Sequence, residues 1–89
     1  MYQGQEDYEI VVELDAWAAD GVRGRRLHPT QELTELPKGM LRVKVRLNSL
    51  EEVERWVLSM GTHATVVGPQ ELRERLGRFG SELAGRYQR

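Results

Sequence analysis

Three guanidinium groups and an imidazole fall within six positions of this chain, at Arg23, Arg25, Arg26 and His28 of the segment VRGRRLHP. Guanidinium forks suit the oxygens of phosphate and carboxylate, two donors at a time. The same residues also fit a solvated corner, in which arginines pair with Asp20, Glu32 or Glu35 and His28-Pro29 merely sets a turn. At this level both readings stay open. Other chemistry is thin. His28 and His63 have no second ligand at metal spacing, no serine sits in a nucleophile elbow, and GVRG and GRFG lack the setting of a phosphate loop. The chain has no cysteine, so disulfide and thiolate chemistry are excluded. The expectation is a chain without catalysis, cofactor or metal.

Periodicity identifies the elements that must position the loop. In YEIVVELD, Tyr8, Ile10, Val12 and Leu14 take one face of a strand and Glu9, Glu13 and Asp15 the other. MLRVKVRLN repeats the pattern, with Leu41, Val43, Val45 and Leu47 against Arg42, Lys44 and Arg46. Asp15 is a candidate N-cap for the short helix AWAADGVR, which Gly21 and Gly24 weaken and end. Ser49 with Glu52 spells a capping box before a helix through Leu50, Val53, Trp56, Val57 and Met60 that Gly61 stops. QELTEL reads as a strand closed by the Pro37-Lys38-Gly39 turn, and THATVV as another strand. After Gly68-Pro69 a last helix carries the stripe Leu72, Leu76, Phe79, Leu83 and Tyr87; Gly77, Gly80 and Gly85 lower its propensity, so it depends on docking.

Strand, helix, strand, strand, helix, strand is the order of a ferredoxin-like α+β fold, βαββαβ with a four-stranded antiparallel sheet, here with an additional C-terminal helix at one edge. In that fold the first and third strands are central neighbours. Residues 1–21 carry six acids and no base, and residues 22–46 carry seven bases against Glu32 and Glu35, for net charges of −6 and +5. The topology therefore sets an acidic row beside a basic one, which accounts for Arg42, Lys44 and Arg46 as cross-strand partners. A sheet that binds RNA would instead show aromatics on its wet face. Trp17 and Trp56 sit at helix positions that read as core or interface. The length allows one small core, placed in residues 8–89, with residues 1–7 expected to be disordered or an added start. No apolar run is long enough to span a membrane, and the acidic N-terminus lacks signal-peptide character. A cytoplasmic chain is the expectation.

The ordered set Val22, Arg23, Arg25, His28, Pro29, Gln31; Gly39 before a strand; Arg55, Trp56, Leu58, Ser59, Gly61; and Val66, Pro69, Glu71, Leu72, Arg73 resembles the C-terminal extension (WCX) domain of WYL-domain bacterial transcriptional regulators. The resemblance runs from Tyr8 to Tyr87. Leu27 departs from it, standing where the family frequently carries an aromatic. The resemblance implies a parent protein with an N-terminal winged helix for promoter DNA, a WYL domain that senses a ligand often thought to be nucleic acid, and this extension, which helps dimerise the protein and gate its response. It maps the family's basic loop onto Arg23, Arg25, Arg26 and His28, as contacts to a single-stranded nucleic acid or to a carboxylate on the WYL domain. A second reading makes the chain chiefly a homodimerisation and coupling element, with Trp17, Phe79 and Tyr87 at the interface. A third makes it a freestanding ferredoxin-like sensor of a small molecule.

Overall fold

Strand β1 (Tyr8–Leu14) pairs along its whole length with β3 (Leu41–Leu47), antiparallel, from Tyr8 opposite Leu47 to Leu14 opposite Leu41. This register puts Ile10, Val12 and Leu14 on the same face as Leu41, Val43 and Val45, and all six are buried. Opposite them, Nε and Nη2 of Arg42 reach Glu13 at 3.1 and 2.9 Å, Lys44 lies 3.3 Å from Glu9, and Arg46 lies 3.8 Å from Glu9. The basic row is thus neutralised across the strand pair. Such exposed pairs contribute only about 0.2–1 kcal/mol each; their larger effect is to fix the register against a one-residue slip.

The computed structural model describes residues 8–88, so the expectation for residues 1–7 lies outside the described residues. After β1 come α1 (Ala16–Val22), β2 (Glu32–Glu35), β3, α2 (Leu50–Ser59), β4 (Ala64–Gly68) and α3 (Gln70–Tyr87), with short 3-10 turns at Pro37–Gly39 and Gly61–His63. The sheet order β2-β3-β1-β4 is the ferredoxin-like arrangement, with the acidic and basic strands in the middle. Ala18, Ala19 and Val22 of α1 and Val53 and Val57 of α2 complete the core over the oily face. Asp15 caps α1, its Oδ1 accepting from the Ala18 N–H at 3.0 Å. Ser49 occupies the N-cap of α2, but its side chain makes no capping bond. The anticipated capping box is therefore not formed, and Glu52 stays exposed on the first turn of α2.

The last helix divides into two zones. Leu72 is completely buried and Leu76 half-buried, whereas Phe79, Leu83 and Tyr87 are exposed. The expected stripe docks through its first two turns only, beside edge strand β4. Within the docked zone the Arg75 guanidinium makes two bonds of 3.0 Å to Glu54 of α2, a carboxylate that is otherwise buried. Beyond Leu76 the remaining eleven residues extend about 16 Å along the helix axis, which contributes to a longest dimension of 50 Å.

Candidate functional site

The loop between α1 and β2 is built by its own polar side chains. Gly24, at φ +83°, makes the left-handed turn that leaves α1, a conformation other side chains adopt only with strain. Gln31 then braces the loop from inside: its Oε1 accepts from the Leu27 N–H at 2.6 Å and its Nε2 donates to the Arg25 carbonyl at 2.9 Å. Thr30 fastens it to the sheet. Its hydroxyl accepts from the Arg46 N–H at 2.9 Å, supplying the partner that β2 is too short to provide. The Thr30 N–H donates to Nδ1 of His28 at 3.2 Å. The Thr30 hydroxyl also lies 2.9 Å from this Nδ1, so Thr30 holds the His28 ring by that edge.

The three arginines have different surroundings. Arg23 is engaged inside the domain: Nε and Nη2 bond to Glu35 at 3.0 and 2.9 Å, Nη1 to Asp20 at 3.2 Å, and Nη2 also to the Gly39 carbonyl at 2.9 Å. It ties the end of α1 to β2 and to the β2–β3 turn, and its guanidinium holds the Glu35 carboxyl below the usual carboxylate range. Arg25 and Arg26 are exposed and meet no carboxylate among the described residues. Their guanidinium contacts are to backbone carbonyls, Gly21 at 3.2 Å for Arg25 and Pro29 at 3.5 Å for Arg26. These two forks are therefore the loop's available cations.

Below the loop a cleft of about 190 Å³ opens between it and α2. Val43, Val45 and Leu47 of β3 form its floor. Trp56, Val53 and Glu52 of α2 form one wall, and Leu27 with His28 form the other. Sequence reasoning assigned His28 to the loop but missed the cleft, because the sequence does not show that loop and α2 lie on the same side of β3. At the opposite end of β1, Asp15 Oδ2 lies 2.7 Å from Nδ1 of His63, and the His63 ring stacks on Trp17 with centroids 4.3 Å apart. The Ala18 N–H, and after it the His63 side chain, hold the Asp15 carboxyl below its usual range. Trp17 is 68% exposed. Its aromatic partner is His63, while Phe79 and Tyr87 lie along the outer zone of α3. Among the described residues no group of three His, Cys, Asp or Glu side chains is placed to hold a metal, and no helix is long and apolar enough to cross a membrane.

No curated protein matches the chain. The WCX domain family matches residues 6–84, a span that takes in the braced loop, all four strands and most of α3. The ordered motifs now have structural reasons: Gln31 braces the loop, Trp56 walls the cleft, and the Ser59 hydroxyl donates to the Trp56 carbonyl at 2.6 Å where α2 ends. On this match and this fold, the chain belongs to the WCX domain family.

Proposed function

We propose that this chain is the non-catalytic C-terminal regulatory module of a WYL-domain transcriptional regulator, and that its α1–β2 loop contacts the phosphates of a single-stranded nucleic-acid ligand through Arg25 and Arg26. The observation that carries this reading is the inequality of the basic residues. Arg23 of the loop and Arg42, Lys44, Arg46 and Arg75 face carboxylates, whereas the adjacent forks of Arg25 and Arg26 are exposed and face none among the described residues; Lys38, Arg55, Arg73, Arg78 and Arg86 are also without an ion pair there but are scattered over the β2–β3 turn and the helices, so the loop alone sets two free guanidinium forks side by side in sequence. A guanidinium without a carboxylate partner needs no ion pair broken before it takes an anion, and its single bond to a backbone carbonyl leaves other N–H donors free. His28, held by Thr30, belongs to the rigid part of the same loop. Through it the module would work with the WYL and winged-helix domains of the parent chain, helping to gate the response at promoter DNA. Fluorescence anisotropy of a short labelled single-stranded DNA tests the contact: the Arg25→Ala, Arg26→Ala double variant loses binding, and unchanged binding would sink the reading.

A second reading, homodimerisation, draws on the outer zone of α3. Phe79, Leu83 and Tyr87 present an apolar face with exposures of 38, 48 and 80%, and Trp17 adds a further exposed aromatic. Light scattering at about 100 μM, a concentration at which contacts of about 5–6 kcal/mol register, decides it: a dimer supports the reading, and a monomer removes it for this chain.

A further inference from the structure

Trp17, 68% exposed on α1, is a large aromatic ring that the domain's own core does not use. One face of its indole is taken, because the His63 ring lies against it with centroids 4.3 Å apart and planes tilted by 32°. The other face is bare, and Gly21 keeps it so. On a helix the side chain four residues later leans back over the earlier position, and Gly21 has none to offer. Nothing lies within 4 Å of the place its Cβ would take, and its φ is not positive, so neither packing nor backbone conformation requires glycine there. The polar atoms around this face are acceptors. Asp15 Oδ2 lies 2.7 Å from His63 Nδ1. The Asp15 carboxyl, held below its usual range, is an ionised group that can only accept, so Nδ1 carries the proton and Nε2 of the neutral ring is left as an acceptor. Asp20 follows Trp17 by three residues and shares its side of the helix. Its side chain is 83% exposed, with one oxygen 3.2 Å from Arg23 and lone pairs beyond that contact. Arg25 is held at the Gly21 carbonyl, which points to the C-terminal side of α1, away from Trp17.

A flat cation that only donates complements a bare indole face rimmed by acceptors. A guanidinium carries five N–H donors and no acceptor and stacks on aromatic faces, whereas an ammonium is a compact, strongly hydrated charge that cannot lie flat. A free guanidino compound would touch this open face alone, while an arginine within a protein segment brings neighbouring contacts with it. We infer that the Trp17–Asp20 face of α1 docks an arginine-bearing segment of a partner protein, the guanidinium lying on the indole face opposite His63 and donating to Asp20. The inference uses neither the anion contact of the α1–β2 loop nor the apolar zone of α3.

Nitrogen–proton correlation NMR of this chain shows the indole N–H of each of its two tryptophans, and Trp17→Phe assigns them. The probe is an end-blocked Gly-Arg-Gly-Arg-Gly peptide, beside versions with lysine or with citrulline, which keeps the shape of arginine without its charge; all are titrated to about 10 mM, where contacts of about 3–4 kcal/mol register. The arginine peptide shifts the Trp17 signal saturably, the citrulline peptide does not, and the lysine peptide binds at least about threefold more weakly. Gly21→Leu covers the bare face at an open position and improves helix propensity, so the fold is kept. It weakens the arginine peptide about two- to fivefold, the effect of losing one exposed cation–π contact, and Asp20→Asn weakens it by a similar factor of about two to five. No saturable shift, equal binding of the lysine or citrulline peptide, or binding unchanged in either variant overturns the inference. A Trp17 shift that follows protein concentration with no peptide present makes a second copy the occupant, and overturns it as well.

Discussion

Truncating Leu72 to alanine should damage this protein far more than truncating Leu83, although both belong to one apolar stripe of α3. Leu72 is 0% exposed and Leu83 is 48% exposed. Leu72→Ala removes three buried carbons, about 2.4 kcal/mol at roughly 0.8 kcal/mol per carbon. The cavity left beside the core brings the total to about 3–4 kcal/mol, inside the range measured for such changes. In a domain of this size each kcal/mol lowers Tm by about 4–8 °C, so the loss is about 12–32 °C. Leu83→Ala removes atoms already half in water and raises helix propensity slightly, so its effect stays within about 0.5 kcal/mol, or about 3 °C. Thermal unfolding followed by far-ultraviolet circular dichroism measures both, on protein shown to be monomeric. Equal and large losses in the two variants would refute the division of α3 into a docked and a free zone.

Further outcomes follow from the same contacts. Replacing Glu54 leaves Arg75 without its partner where α3 meets α2; Glu54→Ala should speed amide hydrogen exchange in residues 70–76 before it does so in β1 or β3, and uniform acceleration would contradict the local role assigned to the pair. Asp15 has its folded-state pKa depressed by the Ala18 N–H and then by His63. Its contribution is therefore present above the unfolded value of about 4 and lost as pH falls through the lower folded value. Urea unfolding should find Asp15→Ala less stable than the natural chain near neutral pH, with the gap closing below about pH 4; a gap that is constant or widens in acid contradicts the cap.

The alternation of β1 and β3 made much of this fold legible, because a period of two both names a strand and says which face is oily. Once βαββαβ order placed those strands together, the segregation of acids and bases along the chain became an ion ladder. Single-residue caps were legible where one side chain suffices, as at Asp15. The Ser49–Glu52 box was not, because an exposed Glu52 can stay in water instead of reaching back to the cap. The stripe on α3 was read correctly as a face, but periodicity says nothing about how far along a helix its partner extends. At the site, density of charge marked Arg23, Arg25 and Arg26 as a group. What separates them is the position of Glu35, twelve residues from Arg23, which depends on how β2 folds back. His63 beside Asp15 and Trp17 left no local signal, since 48 residues separate the histidine from the carboxylate.

The most direct test of the central claim is the salt dependence of single-stranded DNA binding, compared among the natural chain, Arg23→Ala, and the Arg25→Ala, Arg26→Ala double variant. Two phosphate contacts on a single strand give a slope of log affinity against log salt of about −1.4, at about −0.7 per contact. The account predicts that slope for the natural chain, the same slope for folded Arg23→Ala despite its lower Tm, and a slope near zero with lost affinity for the double variant. A slope that shrinks in Arg23→Ala and survives in the double variant would contradict it.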